Sequence, residues 1–151
     1  MTNIRLMDTK IRHLTADFYT DYSHCSEILS DPQRPYCVII LVVEGLKFAV
    51  PFRTNINHNS CFLFSGSPRG GNSGIDFSKS VVIIDNKYVG NVTFIDSYEY
   101  REFINKKAII LNRFKKFIED YKIWVNNPEY YHQENLIMYS SLQYFHTELG
   151  I

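Results

Sequence analysis

The sequence predicts an α+β fold: a mostly antiparallel, partly barrel-like sheet flanked by helices. Three observations carry this. Two apolar segments, residues 36–43 and 47–52, meet at a Glu44-Gly45 turn. A second pair, residues 80–85 and 88–95, flanks Asn86-Lys87. After Asp96, a long stretch places Phe103, Ile110, Leu111, Phe114, Phe117, Ile118 and Tyr121 on one helical stripe.

In chain order, residues 8–22 read as a first helix. Asp8 is its cap, and Ile11, Leu14, Phe18 and Tyr22 recur at spacings of three and four. Asp31-Pro32 and Pro35 mark an extended connector. Residues 36–43 are almost wholly apolar and rich in β-branched side chains, as a central strand requires. Gly45 permits the turn, and Pro51 belongs at a strand end or an edge because it lacks a ladder donor. Residues 61–64 form a short third strand, and residues 65–74 (SGSPRGGNSG) a flexible loop. The 80–85 and 88–95 segments read as a second hairpin, although Lys87 does not favour positive φ. Asp96 and Glu99 have the spacing of a capping box ahead of the long helix. Asn126-Asn127-Pro128 ends that helix, and Asn127 and Pro128 suit the start of a last one. The last helix carries Leu136, Ile137, Ser140, Ser141, Tyr144, Phe145 and Leu149.

The 151 residues suit a single domain, 1–151, and 45% hydrophobic content with 11 Tyr and 11 Phe is enough to build a core. Sixteen Lys and Arg balance sixteen Asp and Glu, so net charge gives no sign of a nucleic-acid partner. Residues 101–122 depart from that balance, with seven cations against three anions, a patch able to steer an anion. Cys25, Cys37 and Cys61 are odd in number and lack C-x-x-C spacing. The expectation is free thiols in a reducing compartment. With no signal peptide and no apolar run long enough for a bilayer, the expected location is the cytoplasm, with no membrane partner.

No two of the five histidines stand four apart and no H-E-x-x-H occurs, so no metal and no other cofactor is expected. The glycines of residues 65–74 match neither phosphate-loop pattern, and no G-x-S-x-G elbow supports a serine hydrolase. The richest chemistry lies in Arg53-Thr54-Asn55-Ile56-Asn57-His58, where a strand delivers a cation, a hydroxyl, two amides and an imidazole into one loop. RNA is cut without metal when the 2′-OH attacks the adjacent phosphorus, provided protons are moved and the phosphate oxygens are held. His58 carries an imidazole, the side-chain type that exchanges protons near neutral pH. Arg34 and Arg53 bracket the hairpin and can grip a phosphate by paired hydrogen bonds. Thr54, Asn55 and Asn57 add neutral donors. Lys10, Arg69, Lys79, Lys115 and Lys116 are candidate backbone contacts. Tyr36 and Tyr144 are candidate stacking partners for splayed bases.

The segments Arg34-Pro35-Tyr36, Glu44-Gly45-Leu46-Lys47-Phe48, Val50-Pro51-Phe52-Arg53-Thr54, Cys61-Phe62, Gly74-Ile75-Asp76-Phe77-Ser78-Lys79 and Ser140-Ser141-Leu142-Gln143-Tyr144-Phe145 run in order through nearly the whole chain. In this order the chain resembles the endoribonuclease toxins of type III toxin–antitoxin systems, the ToxN/AbiQ group, most of all their CptN branch. The resemblance implies a MazF/Kid-like architecture and metal-independent cleavage of single-stranded, A-rich RNA to a 2′,3′-cyclic phosphate. It implies cellular mRNA substrates and a role in phage defence. It also implies inhibition by a small repeated pseudoknot RNA, whose precursor the toxin trims, in a closed protein–RNA assembly. Thr54 fits the family's hydroxyl position and Arg34 its basic residue before the first hairpin strand. Asn55 stands where the family has a second hydroxyl, and His58 or Asn57 lies near the place of its lysine. The rivals to this reading are a non-catalytic RNA-binding module and a nucleotide-processing enzyme using the glycine-rich loop.

Overall fold

The apolar segment after Tyr36 becomes the centre of the sheet because it is apolar on both faces. In the computed structural model, which describes residues 3–30, 35–127, 129–130 and 134–151, β3 (Cys37–Val43) pairs along its length with β4 (Leu46–Arg53). Glu44 and Gly45 turn between them at φ 49° and 84°, the left-handed conformation of a tight hairpin. On its other side β3 pairs with β1 (Ile4–Leu6) and β2 (Ile11–Leu14). Every β3 residue from Val38 to Val43 is buried, as expected of a central strand.

The far side of β4 is shared. Phe48 and Ala49 pair with β7 (Val81–Val82), and Phe52 and Arg53 with β6 (Gly74–Asp76). Pro51 falls in the gap between these partners, where no ladder N–H is needed. β5 (Cys61–Leu63) adds to β6, and β8 (Val89–Thr93) to β2. The eight-stranded antiparallel sheet runs β5-β6-β4-β3-β2-β8, with β1 on β3 and β7 on β4. It does not close.

Two segments differ from the sequence reading. Residues 8–22 are not one helix: β2 occupies 11–14, and α1 (Ala16–Asp21) is a short helix after it. Ile11 and Leu14 are both buried because the β2–β8 register shifts between Arg12 and Leu14, so a strand irregularity produces the spacing of three. Asp8 does not cap a helix; it accepts the Lys10 N–H and an Arg12 N–H. Residues 80–85 and 88–95 do not pair with each other. A 3-10 turn at Asn86–Tyr88 carries the chain from the β4 side of the sheet to the β2 side.

The long helical stripe is two helices, α2 (Ser97–Asn105) and α3 (Lys107–Asn126), separated at Lys106. Asp96 caps α2 by accepting the Tyr98 and Glu99 N–H groups. α3 presents Ile110, Phe114, Phe117, Ile118 and Tyr121 to the core, where Phe114 meets Phe48 and Phe77 edge-on. Full burial of such a side chain contributes about 1.5–3 kcal/mol. The C-terminal region is α4 (Glu134–Tyr139), a 3-10 turn at Ser141–Phe145, and α5 (His146–Leu149). Pro128 lies outside the described residues. Ser140 and Ser141, placed mid-helix by the sequence reading, instead cap and open the 3-10 turn, and their hydroxyls donate to the Ser78 and Ser80 carbonyls.

The glycine-rich segment is tied down. Ser65 donates its N–H and hydroxyl to Glu102, and Arg69 grips Glu99. Its last residue, Gly74, begins β6 and has backbone packed where a Cβ would go, 2.0 Å from the Phe62 carbonyl oxygen. Gly74→Ala is expected to cost about 3 kcal/mol, the upper end for overpacking, because backbone cannot move aside. Thermal unfolding followed by circular dichroism checks it; a melt equal to wild type would contradict the β5–β6 packing.

Candidate functional site

Arg53 ends β4 opposite Gly74, and Asp76 stands two residues farther along β6. This diagonal relation across an antiparallel pair suits a long side chain reaching a shorter one. The Arg53 guanidinium accordingly donates to Asp76 Oδ2 at 2.6 Å. After Thr54 the chain reverses at Asn55, whose φ of 56° is a conformation asparagine tolerates. Ile56 is buried and donates its N–H to Asn72 O, plugging the loop between its two flanks. Asn55 and Asn57 point outward and are exposed. His58 returns on the far flank.

His58 meets the same carboxylate. Its Nε2 lies 3.1 Å from Asp76 Oδ1 and 3.2 Å from Oδ2, and 3.2 Å from Ser78 Oγ. The Ser60 N–H donates to Nδ1 at 3.1 Å, which assigns the ring proton to Nε2. Both ring nitrogens are therefore engaged within the protein. Asp76 is wholly buried and also accepts the Ser78 N–H and hydroxyl, at 3.0 and 2.6 Å. Burial alone would raise its pKa. The hydrogen bonds from His58, Ser78 and Arg53 outweigh burial and hold the carboxyl below its ordinary value of 3.8. Beside it, burial pushes the Cys61 thiol up to about 11, with the Asp76 charge adding to the effect. Cys61 is a buried thiol donating to the His58 carbonyl, like the core cysteine its surroundings suggest.

The structure divides the expected site residues between two cavities where the sequence reading gathers them into one. Thr54, Arg53, Tyr36 and Arg69 line a polar hollow of about 580 Å³, with Phe94 and Asp96 on its rim. The Thr54 hydroxyl has no hydrogen-bond partner among the described residues, and neither do the Arg53 N–H groups that Asp76 leaves over. His58 lines a different hollow of about 460 Å³ with Ser60, Arg113, Lys116 and Trp124. Asp76 connects the two from beneath. Arg34 lies outside the described residues.

The basic and aromatic candidates scatter. Lys10 is exposed beside an apolar hollow near Tyr100. Arg69 is committed to the buried Glu99 carboxylate by two hydrogen bonds of 2.8 and 2.9 Å. Lys79 is half-buried and donates to the Glu27 and Tyr139 carbonyls; burial lowers its pKa, and the Arg53 charge adds to that. Lys115 is half-buried on α3, and Lys116 pairs with Asp120 at 2.9 Å. Tyr144 donates its hydroxyl to Glu27. Of the expected contacts, Tyr36 and Arg69 share the Thr54 hollow, and Lys116 shares the His58 hollow.

Sequence reasoning misses Asp76, Ser78 and Glu99 as site residues. A signal existed for the first two. An aspartate two residues before a serine, following Gly-Ile, is a carboxylate in apolar company that can turn back on its own backbone. By its spacing from Asp96, Glu99 reads as a capping partner, and nothing local announces its pairing with Arg69 thirty residues earlier.

Among the described residues no helix is long and apolar enough to cross a membrane. No known protein family, curated protein or solved structure matches this chain.

Proposed function

We propose that the protein is a metal-independent endoribonuclease and that the scissile phosphate sits in the Thr54 hollow. The observation that carries this reading is an unpartnered hydroxyl beside an arginine pinned by a buried carboxylate. Arg53 is held in place before any ligand arrives, so its spare N–H groups stabilise charge without reorganising. The 2′-oxygen attacks phosphorus, the bond from phosphorus to the 5′-oxygen breaks, and a cyclic phosphate and a 5′-hydroxyl result. Thr54 both accepts and donates, so it positions the 2′-OH and passes its proton towards water in an open cavity. The departing 5′-oxygen takes a proton from water in the same open cavity. Arg34 and Asn55 are further candidates for holding the phosphate.

The order of segments shared with the ToxN/AbiQ toxins supports the wider reading. In it the protein is a cytoplasmic type III toxin acting on cellular RNA and inhibited by a repeated pseudoknot RNA. Incubating the purified protein with A-rich single-stranded RNA in EDTA tests the activity. Cleavage is the expected result. Binding without cleavage would favour the non-catalytic RNA-binding module, whose groove would be the same.

His58 acts here as a positioning residue, fixing Asp76 and through it Arg53. His58→Ala is expected to lose most of its cleavage and its toxicity to cells while still binding the antitoxin RNA. His58→Gln, whose amide can donate to Asp76, is expected to recover much of the rate and to keep the wild-type shape of the pH–rate profile. Loss of one limb of that profile in His58→Gln, with no recovery, would make His58 the proton carrier instead.

A further inference from the structure

Phe94 follows β8 directly and is 88% exposed, whereas most phenylalanines of this chain are buried. It stands on the border of two hollows. On one side is the Thr54 hollow with Arg53. On the other is an apolar hollow of about 320 Å³, lined by Val92, Tyr100 and Lys10 among others. A polar, cation-bearing space and an apolar one thus share a single projecting aromatic ring. That is the alternation of a nucleotide: charged phosphate, then flat base.

We infer that Phe94 is a stacking platform for the base next to the phosphate seated at Thr54. The inference rests on the ribonuclease reading and adds to it the residue that grips the base. The base lies against the Phe94 face at the mouth of the apolar hollow, and Lys10 meets the next phosphate along the strand. Single-stranded RNA is the occupant the charges favour. Arg53 lines one of the two hollows that Phe94 borders and Lys10 lines the other, and the Asp96 carboxylate is occupied by two N–H groups of α2. A base stacked on an exposed ring needs no hydrogen-bond readout, and a purine, having the larger face, is held better than a pyrimidine.

The test uses the full chain and a short RNA made uncleavable by 2′-O-methylation, with adenine or an abasic unit at the stacked position. Binding is read by fluorescence anisotropy. Phe94→Ala removes an exposed side chain, and a thermal melt verifies that it folds like wild type. It is expected to weaken adenine-containing RNA about tenfold or more. The abasic unit should cost wild type a similar factor and cost Phe94→Ala almost nothing, and Phe94→Trp should restore the difference. An undiminished adenine preference in Phe94→Ala, beside a wild type that still cleaves RNA, would overturn the Phe94 assignment alone. A wild type that neither binds nor cleaves RNA would overturn both readings. If Phe94→Ala instead converts a dimer to a monomer on sedimentation with RNA affinity unchanged, the ring belongs to a protein interface and the inference fails.

Discussion

Asp76→Ala is expected to give the largest loss of stability of any single change in the site. The carboxylate is fully buried and accepts from Arg53, His58 and Ser78, so its removal strands three sets of donors at once. Breaking a buried ion pair by removing one member costs about 3–5 kcal/mol. Arg53 keeps about a quarter of its side chain exposed, which favours the lower end. A loss of about 3 kcal/mol lowers the melting temperature of a chain this size by roughly 6–12 °C. The pH dependence follows from the depressed pKa. Asp76 releases its proton more readily in the folded chain, so its contribution is complete above the ordinary value of 3.8 and is lost as pH falls through the lower folded value. Asp76→Asn should therefore flatten the acid side of the stability curve. A variant that melts like wild type and loses stability in acid just as steeply would show that the network holds nothing.

Arg53→Gln and Thr54→Val are expected to give the largest losses of activity. In the ribonuclease reading Arg53 supplies the charge at the phosphate, and removing one preorganised donor of this kind costs about 10²–10³ in rate. Thr54→Val keeps the shape of the side chain and deletes only the hydroxyl, which has no partner among the described residues, so the fold should be undisturbed. Its rate is expected to fall by a similar factor while RNA binding changes little. Arg53→Gln should weaken binding as well, and should destabilise the fold because Asp76 loses its cation. Single-turnover cleavage rates beside melting curves separate these effects. Full activity in Thr54→Val would move the chemistry out of this hollow.

The β3–β4 hairpin was legible because its apolar, β-branched run and its glycine turn are local features. So was the loop after β4, since Arg53, Thr54 and His58 fall within one short stretch of sequence. What local pattern could not show is that Ile56 buries itself in the middle of that loop. The plug sends Thr54 and His58 into separate hollows. Asp76 was hidden for the same kind of reason: only the pairing of β4 with β6 brings it beside Arg53. Residues 8–22 misled because a strand with a register shift imitates helical spacing. The 80–85 and 88–95 segments misled because each finds a more distant partner, β4 or β2, in place of its neighbour.

The most direct measurement is the chemistry of the RNA ends after incubation in EDTA. The ribonuclease reading expects fragments ending in 2′,3′-cyclic phosphate and beginning with 5′-hydroxyl, abundant with wild type and nearly absent with Thr54→Val and Arg53→Gln. RNA left intact at every pH, or fragments carrying 3′-hydroxyl and 5′-phosphate ends, would contradict it.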